Sequence, residues 1–463
     1  MPCTKLLISL LLLASCGDAR RPQRPARHVL LITVEGLRAD HTSALMYHRS
    51  TTLLPVSAQQ RAEGKALSID DLAGDGVLFS QAFAPSGDGG QGVLSIFSGE
   101  RGLDQPPRPM LAQSLADKGM FCVAFVNDSN QLPPGVEAGF HSCLRLESDL
   151  DVLIEAVRWF GVHDFGNCEG VFVWIHLAGP AFPFVPGAFS DPLTREPVDF
   201  AQLHIDRDSG AHMNGSAAER EAWWTRAGAS LPPPADLERL LDLYDGGVSE
   251  MSYQLWFLLD YLQFVTRSDR ALDESVLIVS GVNGVELDRP GIPWGSSSEP
   301  HDSSLHVPLL IRHTGGLKGQ RILDPVVELC DLAPTLCEWF GLGFPSSREG
   351  RSLLPLLGQP FGVERHSAAE TEQVFLPPAS LGMGGNPPRL TVRDERWRLV
   401  VDLADSGSSP LALLPESARL FDSLRNPREE RDLAAQHPEQ VSRMLRLLSD
   451  LRSDPEPAPK ESP

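Results

Sequence analysis

The sequence is short of basic residues and has no closely spaced cysteine pair. Its 463 residues include 40 Lys and Arg against 61 Asp and Glu, which gives a formal net charge of −21. So acidic a chain repels nucleic acid, and we expect neither a nucleic-acid partner nor a non-specific affinity for sulfated polyanions. None of the seven cysteines forms a Cys-x-x-Cys pair. This spacing argues against a structural zinc site.

The apolar run near the N-terminus is too short to span a membrane. Residues 1–15 contain one Lys, Lys5, followed by an apolar run that ends in Leu13-Ala14-Ser15-Cys16. This pattern is typical of a bacterial lipoprotein signal, although a small residue before an unrelated cysteine is the alternative. We therefore expect cleavage before Cys16, a lipid on Cys16, a tether over 16–27, and an anchor in the bacterial cell envelope. The membrane is then the expected partner.

Short apolar runs separated by helical patterns predict an α/β fold. The runs that we interpret as buried strands are His28–Val34, Phe121–Val126, Val171–Leu177, Ser275–Ser280 and Val307–Arg312. Such runs suit a mostly parallel central sheet flanked by helices, and the longest helical pattern is Asp236–Phe264. We assign this domain to 28–385.

The remainder of the chain predicts a small C-terminal α+β subdomain over 386–453. Arg389–Leu403 alternates like a two-stranded hairpin with its turn near Asp394, and Glu439–Leu451 has a helical pattern. The Pro- and Glu-rich residues 454–463 are typical of a disordered tail.

Polar residues follow the first predicted strand directly. Glu35, Gly36, Arg38, Asp40 and His41 stand at its carboxyl end. In open α/β sheets that edge is where ligands bind. An alternative is a strand-to-helix turn in which Asp40 caps the next helix.

The stretch HVLLITVEGLRADH resembles the opening strand of the sulfatases, within the alkaline phosphatase superfamily. Four further segments resemble the family in the same order, so that the resemblance covers about Arg27 to Asp450: SIDDLAGDGVLF, DPVVELCDLAPTLCEWFGL, GRSLLPLL and SARLFDSLRNPREERDLAAQHPE. It implies an alkaline-phosphatase-like fold, hydrolysis of sulfuric or phosphoric esters, and a divalent cation, calcium or magnesium, if the site is active. Glu35 stands where the family has a metal-binding Asp.

The family's nucleophile segment is altered at its reactive position. Ala84-Pro85-Ser86 and Ser95-Ile96-Phe97-Ser98-Gly99 both match the family without a gap, which places Gly89 where a Cys, Ser or Thr nucleophile is expected. Glycine has no side chain that could attack an ester or be oxidised. No cysteine lies between Cys16 and Cys122, which excludes a nucleophile derived from cysteine here. Asp88 is a weak substitute, and its alternative role is to cap the helix that follows.

Other positions that bind ligands in the family also lack the expected side chain here. Val282 stands where the resemblance implies a metal-binding Asp, Asn283 is a weak candidate ligand beside it, and Ala181 replaces a His. His301 lies near the expected basic position but in a different register. We therefore expect no resident cofactor.

Two leading hypotheses follow from these losses, and a third is a purely structural envelope lipoprotein whose pocket is filled by side chains. The first is a lipid-anchored sulfatase-like protein without ester-hydrolase activity, which binds or acts as a scaffold. The alternative is a divergent hydrolase that uses Glu35, Asp40, Asp88 or His301 in a rebuilt site. Because the protein is expected to be exported, we also predict a disulfide between Cys122 and Cys143 or between Cys330 and Cys337.

Overall fold

The computed structural model describes most of the chain. The described residues are 25–54, 67–101, 109–127, 132–163, 170–180, 234–265, 270–287, 300–313, 316–317, 319–323, 325–344, 349–358, 380–384, 389–404, 412–426 and 429–452. The predicted signal peptide, Cys16, Ala181 and the tail over 454–463 lie outside them. No helix among these residues has both the length and the apolar content to cross a bilayer.

The main domain is built on a nine-stranded sheet. Its strands, in chain order, are β1 His28–Val34, β2 Val77–Phe83, β3 Phe121–Asn127, β4 Ser142–Leu146, β5 Val171–Leu177, β6 Ser275–Gly281, β7 His306–Arg312, β8 Gln320–Ile322 and β9 Val327–Glu328. Their spatial order is β4-β3-β5-β1-β6-β7-β2-β8, and β9 also pairs with β2. β1 is central and runs parallel to both β5 and β6. The predicted mostly parallel sheet is confirmed, with β7 antiparallel to β6 and β2.

Helices cover both faces of this sheet. They are Ile69–Asp75, Gly89–Ser98, Leu111–Asp117, Asp149–Val162, Pro234–Val265, Arg270–Asp273, Asp302–Leu305, Leu332–Trp339 and Leu354–Leu357. Alternate residues of β1 enter two different apolar layers, because side chains alternate across a strand. Leu30 and Ile32 pack into one layer, and Val29 and Leu31 pack into the other.

The C-terminal part forms a second, antiparallel sheet. Its strands are β10 Ser380–Gly384, β11 Arg389–Arg393, β12 Trp397–Ala404, β13 Ala412–Leu413 and β14 Arg419–Asp422, and a helix over Pro438–Arg452 packs on it. β11 and β12 are the predicted hairpin.

Neither predicted disulfide is present, since Cys122, Cys143, Cys330 and Cys337 are all free thiols. Cys143 lies opposite Ala124 in the parallel register, which makes it a diagonal neighbour of Cys122. Diagonal neighbours are about 7–8 Å apart, beyond the usual span of a disulfide. Cys330 and Cys337 lie seven residues apart in consecutive helical segments, roughly 10 Å along the chain direction.

Candidate functional site

The carboxyl ends of β1, β5 and β6 place the candidate residues together. Thr33 in β1 lies level with His176 in β5 and with Ser280 in β6. Glu35 follows two residues later and therefore points to the same face of the sheet as Thr33. The helix Gly89–Ser98 packs on that face, where its apolar side chains share a layer with Leu31 of β1.

The Glu35 carboxylate fills the space beside Gly89. A Cβ atom built on Gly89 would lie 2.9 Å from Glu35 Cδ and 2.9 Å from Glu35 Oε1. Ordinary carbon–carbon contacts are about 3.5–4.0 Å, so any side chain at this position must displace the carboxylate. Both residues are buried. The carboxylate thus occupies the volume where the resemblance expects a nucleophile to begin.

A hydrogen-bonded chain of buried side chains holds Glu35. Its Oε1 lies 3.2 Å from His176 Nε2, and His176 Nδ1 lies 2.9 Å from Thr33 Oγ1. Trp174 donates from its indole Nε1 to the same hydroxyl at 2.8 Å. If the Thr33 hydroxyl donates to Nδ1, the Nε2 proton of a neutral ring is directed at Glu35. This arrangement orients one carboxylate through three neighbouring residues.

These supporting residues were missed by the sequence interpretation. Val171–Leu177 was predicted only as a buried strand, and His176 was not singled out within its apolar run. The available signal was that His176 is the single titratable residue of that strand, close to its carboxyl end. In parallel sheets that end adjoins the site.

The Asn283 side chain forms hydrogen bonds with two backbone groups. Its Oδ1 accepts from the Gly36 N–H at 2.9 Å, and its Nδ2 donates to the Gly87 carbonyl at 2.9 Å. The side chain is fully buried. It therefore ties the loop after β1 to the loop before the Gly89–Ser98 helix.

Val282 packs beneath the same helix. It is fully buried, and its N–H donates to the Val34 carbonyl at 2.9 Å. A Cβ on Gly92 would lie only 2.0 Å from the Val282 carbonyl oxygen, so Gly92 allows the helix to approach the end of β6. Val282 thus contributes packing and backbone contacts.

Asp88 caps the helix and does not enter the site. Its Oδ1 accepts from the Gln91 N–H at 3.1 Å, and the residue is exposed. This is the N-cap bond that the alternative interpretation predicted, and that interpretation is confirmed.

Asp40 pairs with Arg38 and caps no helix, so the capping alternative for this residue is wrong. The carboxylate accepts from Arg38 Nε at 2.8 Å and Nη2 at 2.7 Å, while Arg38 Nη1 donates to the Val285 carbonyl. The Asp40 side chain is largely exposed; partial desolvation by its neighbours opposes ionisation, but the Arg38 guanidinium outweighs this effect and lowers the carboxyl pKa. The short helical turn Ala39–His41 has Arg38 at its cap position without a side-chain bond. Asp40 therefore remains ionised and engaged by Arg38.

His301 belongs to the contact between the two sheets. Its Nδ1 lies 2.8 Å from Glu429 Oε2, and Arg398 of β12 also pairs with Glu429. Asp302 pairs with Arg393 of β11. The structure gives His301 a role in joining the main domain to the C-terminal sheet.

The described donors do not fit a calcium or magnesium ion. Calcium takes about six to eight oxygen ligands, and magnesium takes an octahedral set in which one or two carboxylates are joined by several waters. Of the candidates, Asn283 Oδ1 accepts a backbone bond, Asp40 is held by Arg38, and Glu35 faces His176. No cluster of three or more His, Cys, Asp or Glu side chains suited to a metal occurs in the described part of the chain.

Comparisons with known proteins agree with the fold and with the resemblance in sequence. No family model matches the chain. Arylsulfatase K of Xenopus laevis is 28% identical over 151 residues, 33% of this chain and 26% of that protein. The human arylsulfatase K is 29% identical over 139 residues, 30% of this chain and 24% of that protein. The chain thus spans about a quarter of the length of these curated relatives.

Solved structures match over nearly the whole chain. The phosphonate monoester hydrolase of Agrobacterium radiobacter has a TM-score of 0.65 at 19% identity, covering 93% of this chain and 95% of its own. A 2-O GAG sulfatase has a TM-score of 0.63 at 17% identity, covering 92% and 91%. At these identities the likeness concerns the fold.

Proposed function

We propose that this protein has a binding or scaffolding role without ester hydrolysis, and that it is lipid-anchored in the bacterial envelope. The chain is related to sulfatases and has their fold, within the alkaline phosphatase superfamily. The observation that carries the proposal is the position of the Glu35 carboxylate beside Gly89. Ester cleavage by this fold needs a nucleophile and a group that activates it. Here the space of that nucleophile is taken by a carboxylate bound to His176.

The charge of Glu35 also disfavours a sulfate or phosphate ester at this point. A like charge about 4 Å away costs roughly 4 kcal/mol at the dielectric typical of protein surfaces. The described residues near Glu35 supply no metal cluster to offset this repulsion. A ligand that is neutral at its contact with Glu35, or that donates hydrogen bonds to it, fits the carboxylate better.

The test of inactivity uses the purified mature protein with aryl sulfates and aryl phosphates, and with calcium, magnesium or zinc supplied. We expect no turnover, no stoichiometric bound metal and no change in melting temperature on adding these ions. Asp88→Asn, which alters an exposed helix cap, is the matched control for Glu35→Ala. Metal-dependent turnover that disappears only in Glu35→Ala would overturn the proposal.

A second candidate function rests on the pairing of Glu35 with His176. A carboxylate and an imidazole 3.2 Å apart can act as an acid–base pair in a rebuilt hydrolytic site. Turnover that persists in the presence of a chelator and falls in both Glu35→Gln and His176→Gln would favour this alternative. Loss in only one of the two variants would argue against the pair.

The anchor is tested separately. We expect Cys16 to carry the lipid, because it follows Leu13-Ala14-Ser15 directly after the apolar run. Two or more acyl chains bind a bilayer far more tightly than one. Cys16→Ala should move the protein to the soluble fraction, and unchanged membrane fractionation would contradict a lipid on Cys16.

A further inference from the structure

The edge of the main sheet opposite the candidate site carries an exposed aromatic ladder. Phe121, the first residue of β3, stacks on His141 with ring centroids 4.8 Å apart and lies nearly parallel to Trp159 at 6.3 Å. Trp159 in turn stacks on His163 at 4.5 Å. Phe121 is 41% exposed, a large fraction for an aromatic residue in a strand. The four rings form one continuous surface at the amino ends of β3 and β4.

Two more apolar side chains extend this surface. Val162 is 79% exposed at the last residue of its helix, and Phe264 is 78% exposed one residue before the end of the long helix. A Cβ on Gly161 would lie 3.2 Å from Tyr261 Oη, which places the two helix ends side by side. Because both helices lead back to the starts of strands, their ends lie at the amino edge of the sheet.

The chain reaches its first strand at this same edge. The Arg27 N–H donates to the Glu274 carbonyl at 2.7 Å, and the Arg27 guanidinium pairs with the Glu274 carboxylate at 3.2 Å, immediately before β1 and β6 begin. Cys16 precedes Pro25, the first described residue, by nine positions. Nine extended residues span at most roughly 30 Å. A lipid on Cys16 therefore keeps the amino edge within one tether length of the bilayer.

The charge of the tether favours an anionic surface. Arg20, Arg21 and Arg24 lie within it against a single acid, Asp18, while Arg27 at its end is paired with Glu274. This local excess of positive charge stands in a chain whose net charge is −21. Basic residues next to an anchor are attracted to anionic headgroups, and Trp and other amphipathic rings favour the membrane–water interface.

We infer that the amino edge, defined by Phe121, His141, Trp159, Val162, His163 and Phe264, lies against the anionic phospholipid surface of the membrane that holds the anchor. The inference rests on the proposed lipid at Cys16. It places the ladder among the headgroups and turns the carboxyl edge, with Glu35 and Gly89, away from the bilayer. A ligand of the candidate site then arrives from the aqueous side.

The test uses the mature lipidated protein in vesicles of phosphatidylethanolamine and phosphatidylglycerol that contain a photoreactive phospholipid. Cross-linked peptides are mapped by mass spectrometry. We expect labels within 119–122, 157–163 and 258–265, and none within 34–41 or 281–285. The double variant Val162→Glu with Phe264→Glu should lower labelling of the edge about tenfold, because two apolar contacts become charges that anionic lipids repel.

Leu424→Glu is the matched control, since Leu424 is 69% exposed but lies in the C-terminal sheet region. It should leave labelling unchanged. A lipidated Cys16 with labels at the carboxyl edge, or with edge labels unaffected by the double variant, overturns the inference and leaves the anchor standing. A mature N-terminal peptide without lipid overturns both.

Discussion

A side chain placed on Gly89 should destabilise the protein through Glu35. In Gly89→Ala the new Cβ lies 2.9 Å from both Cδ and Oε1 of Glu35, which is roughly 1 Å too close. The carboxylate must turn away from His176, its partner at 3.2 Å. Overpacking of a buried site costs about 1–3 kcal/mol, and replacing Gly by Ala within a helix returns about 0.5–1 kcal/mol. We expect a net loss of about 1–2 kcal/mol in the free energy of unfolding.

Shortening Glu35 should relieve this conflict. Glu35→Asp withdraws the carboxylate by one methylene. In the double variant, this leaves room for the methyl group of Gly89→Ala. In that background Gly89→Ala should be neutral or stabilising by about 0.5 kcal/mol, which gives a coupling energy of about 2 kcal/mol between the two positions. A coupling of this size is expected for residues in direct contact or with shared partners, and not for distant, independent positions.

Gly74→Ala is the matched control for the cycle. Gly74 lies in the helix Ile69–Asp75, and a Cβ built there has no atom within 4 Å. This change should stabilise the protein by about 0.5–1 kcal/mol with either Glu or Asp at position 35. The measurement is equilibrium unfolding in urea for all variants. Gly89→Ala behaving like Gly74→Ala, or costing the same in the Glu35→Asp background, would refute the reasoning.

Two further predictions concern buried carboxyl groups. Burial and the nearby Glu328 charge raise the pKa of Asp331 from 3.8 to about 7. Between these two pH values the folded state holds a proton that the unfolded state releases. The free energy of unfolding therefore falls as the pH rises through this window. Asp331→Asn should flatten the fall in unfolding free energy across that window in urea titrations, and an unchanged slope would contradict the assignment. Glu429→Gln removes the nearer carboxylate partner of the buried Arg398 guanidinium and leaves Asp302 at 3.7 Å, so it should cost about 3 kcal/mol, while the exposed Glu416→Gln should cost almost nothing. A calorimetric scan that gives the two variants equal melting temperatures would exclude this role for Glu429.

The central sheet could be predicted because its strands appear in the sequence as clearly bounded apolar runs. Val171–Leu177 begins and ends in the structure where its apolar run does, because a strand buried on both faces is almost continuously apolar, with His176 as its single titratable residue. The direction of each strand in the sheet was harder to predict. β7, His306–Arg312, resembles its neighbours in composition but runs antiparallel to β6. Its direction could not be predicted, because composition does not encode strand direction.

The candidate site could be predicted only in part. The capping role of Asp88 was available from the sequence as an alternative, because an N-cap bond is local and its spacing is visible. The contact between Glu35 and Gly89 was not, because the two residues are 54 positions apart and meet only through packing. His176 was hidden for the same reason, since its partners Thr33 and Glu35 lie 143 and 141 positions away.

The residues at the ligand positions implied by the resemblance are packed into the fold, which bears on whether one substitution could create a hydrolase. Each of Glu35, Asn283 and Val282 is buried and contacts specific neighbours: His176, the backbone of Gly36 and Gly87, and the backbone at Gly92. A buried polar group that loses its partner costs about 1–3 kcal/mol, so freeing Asn283 for a metal would break two contacts between loops. A nucleophile at position 89 would first have to expel the Glu35 carboxylate, and without a metal it would stay protonated. Gly89→Ser and Gly89→Cys alone should therefore show no turnover of aryl sulfates, and any turnover above the unaltered protein would mean that the scaffold still holds a working activator.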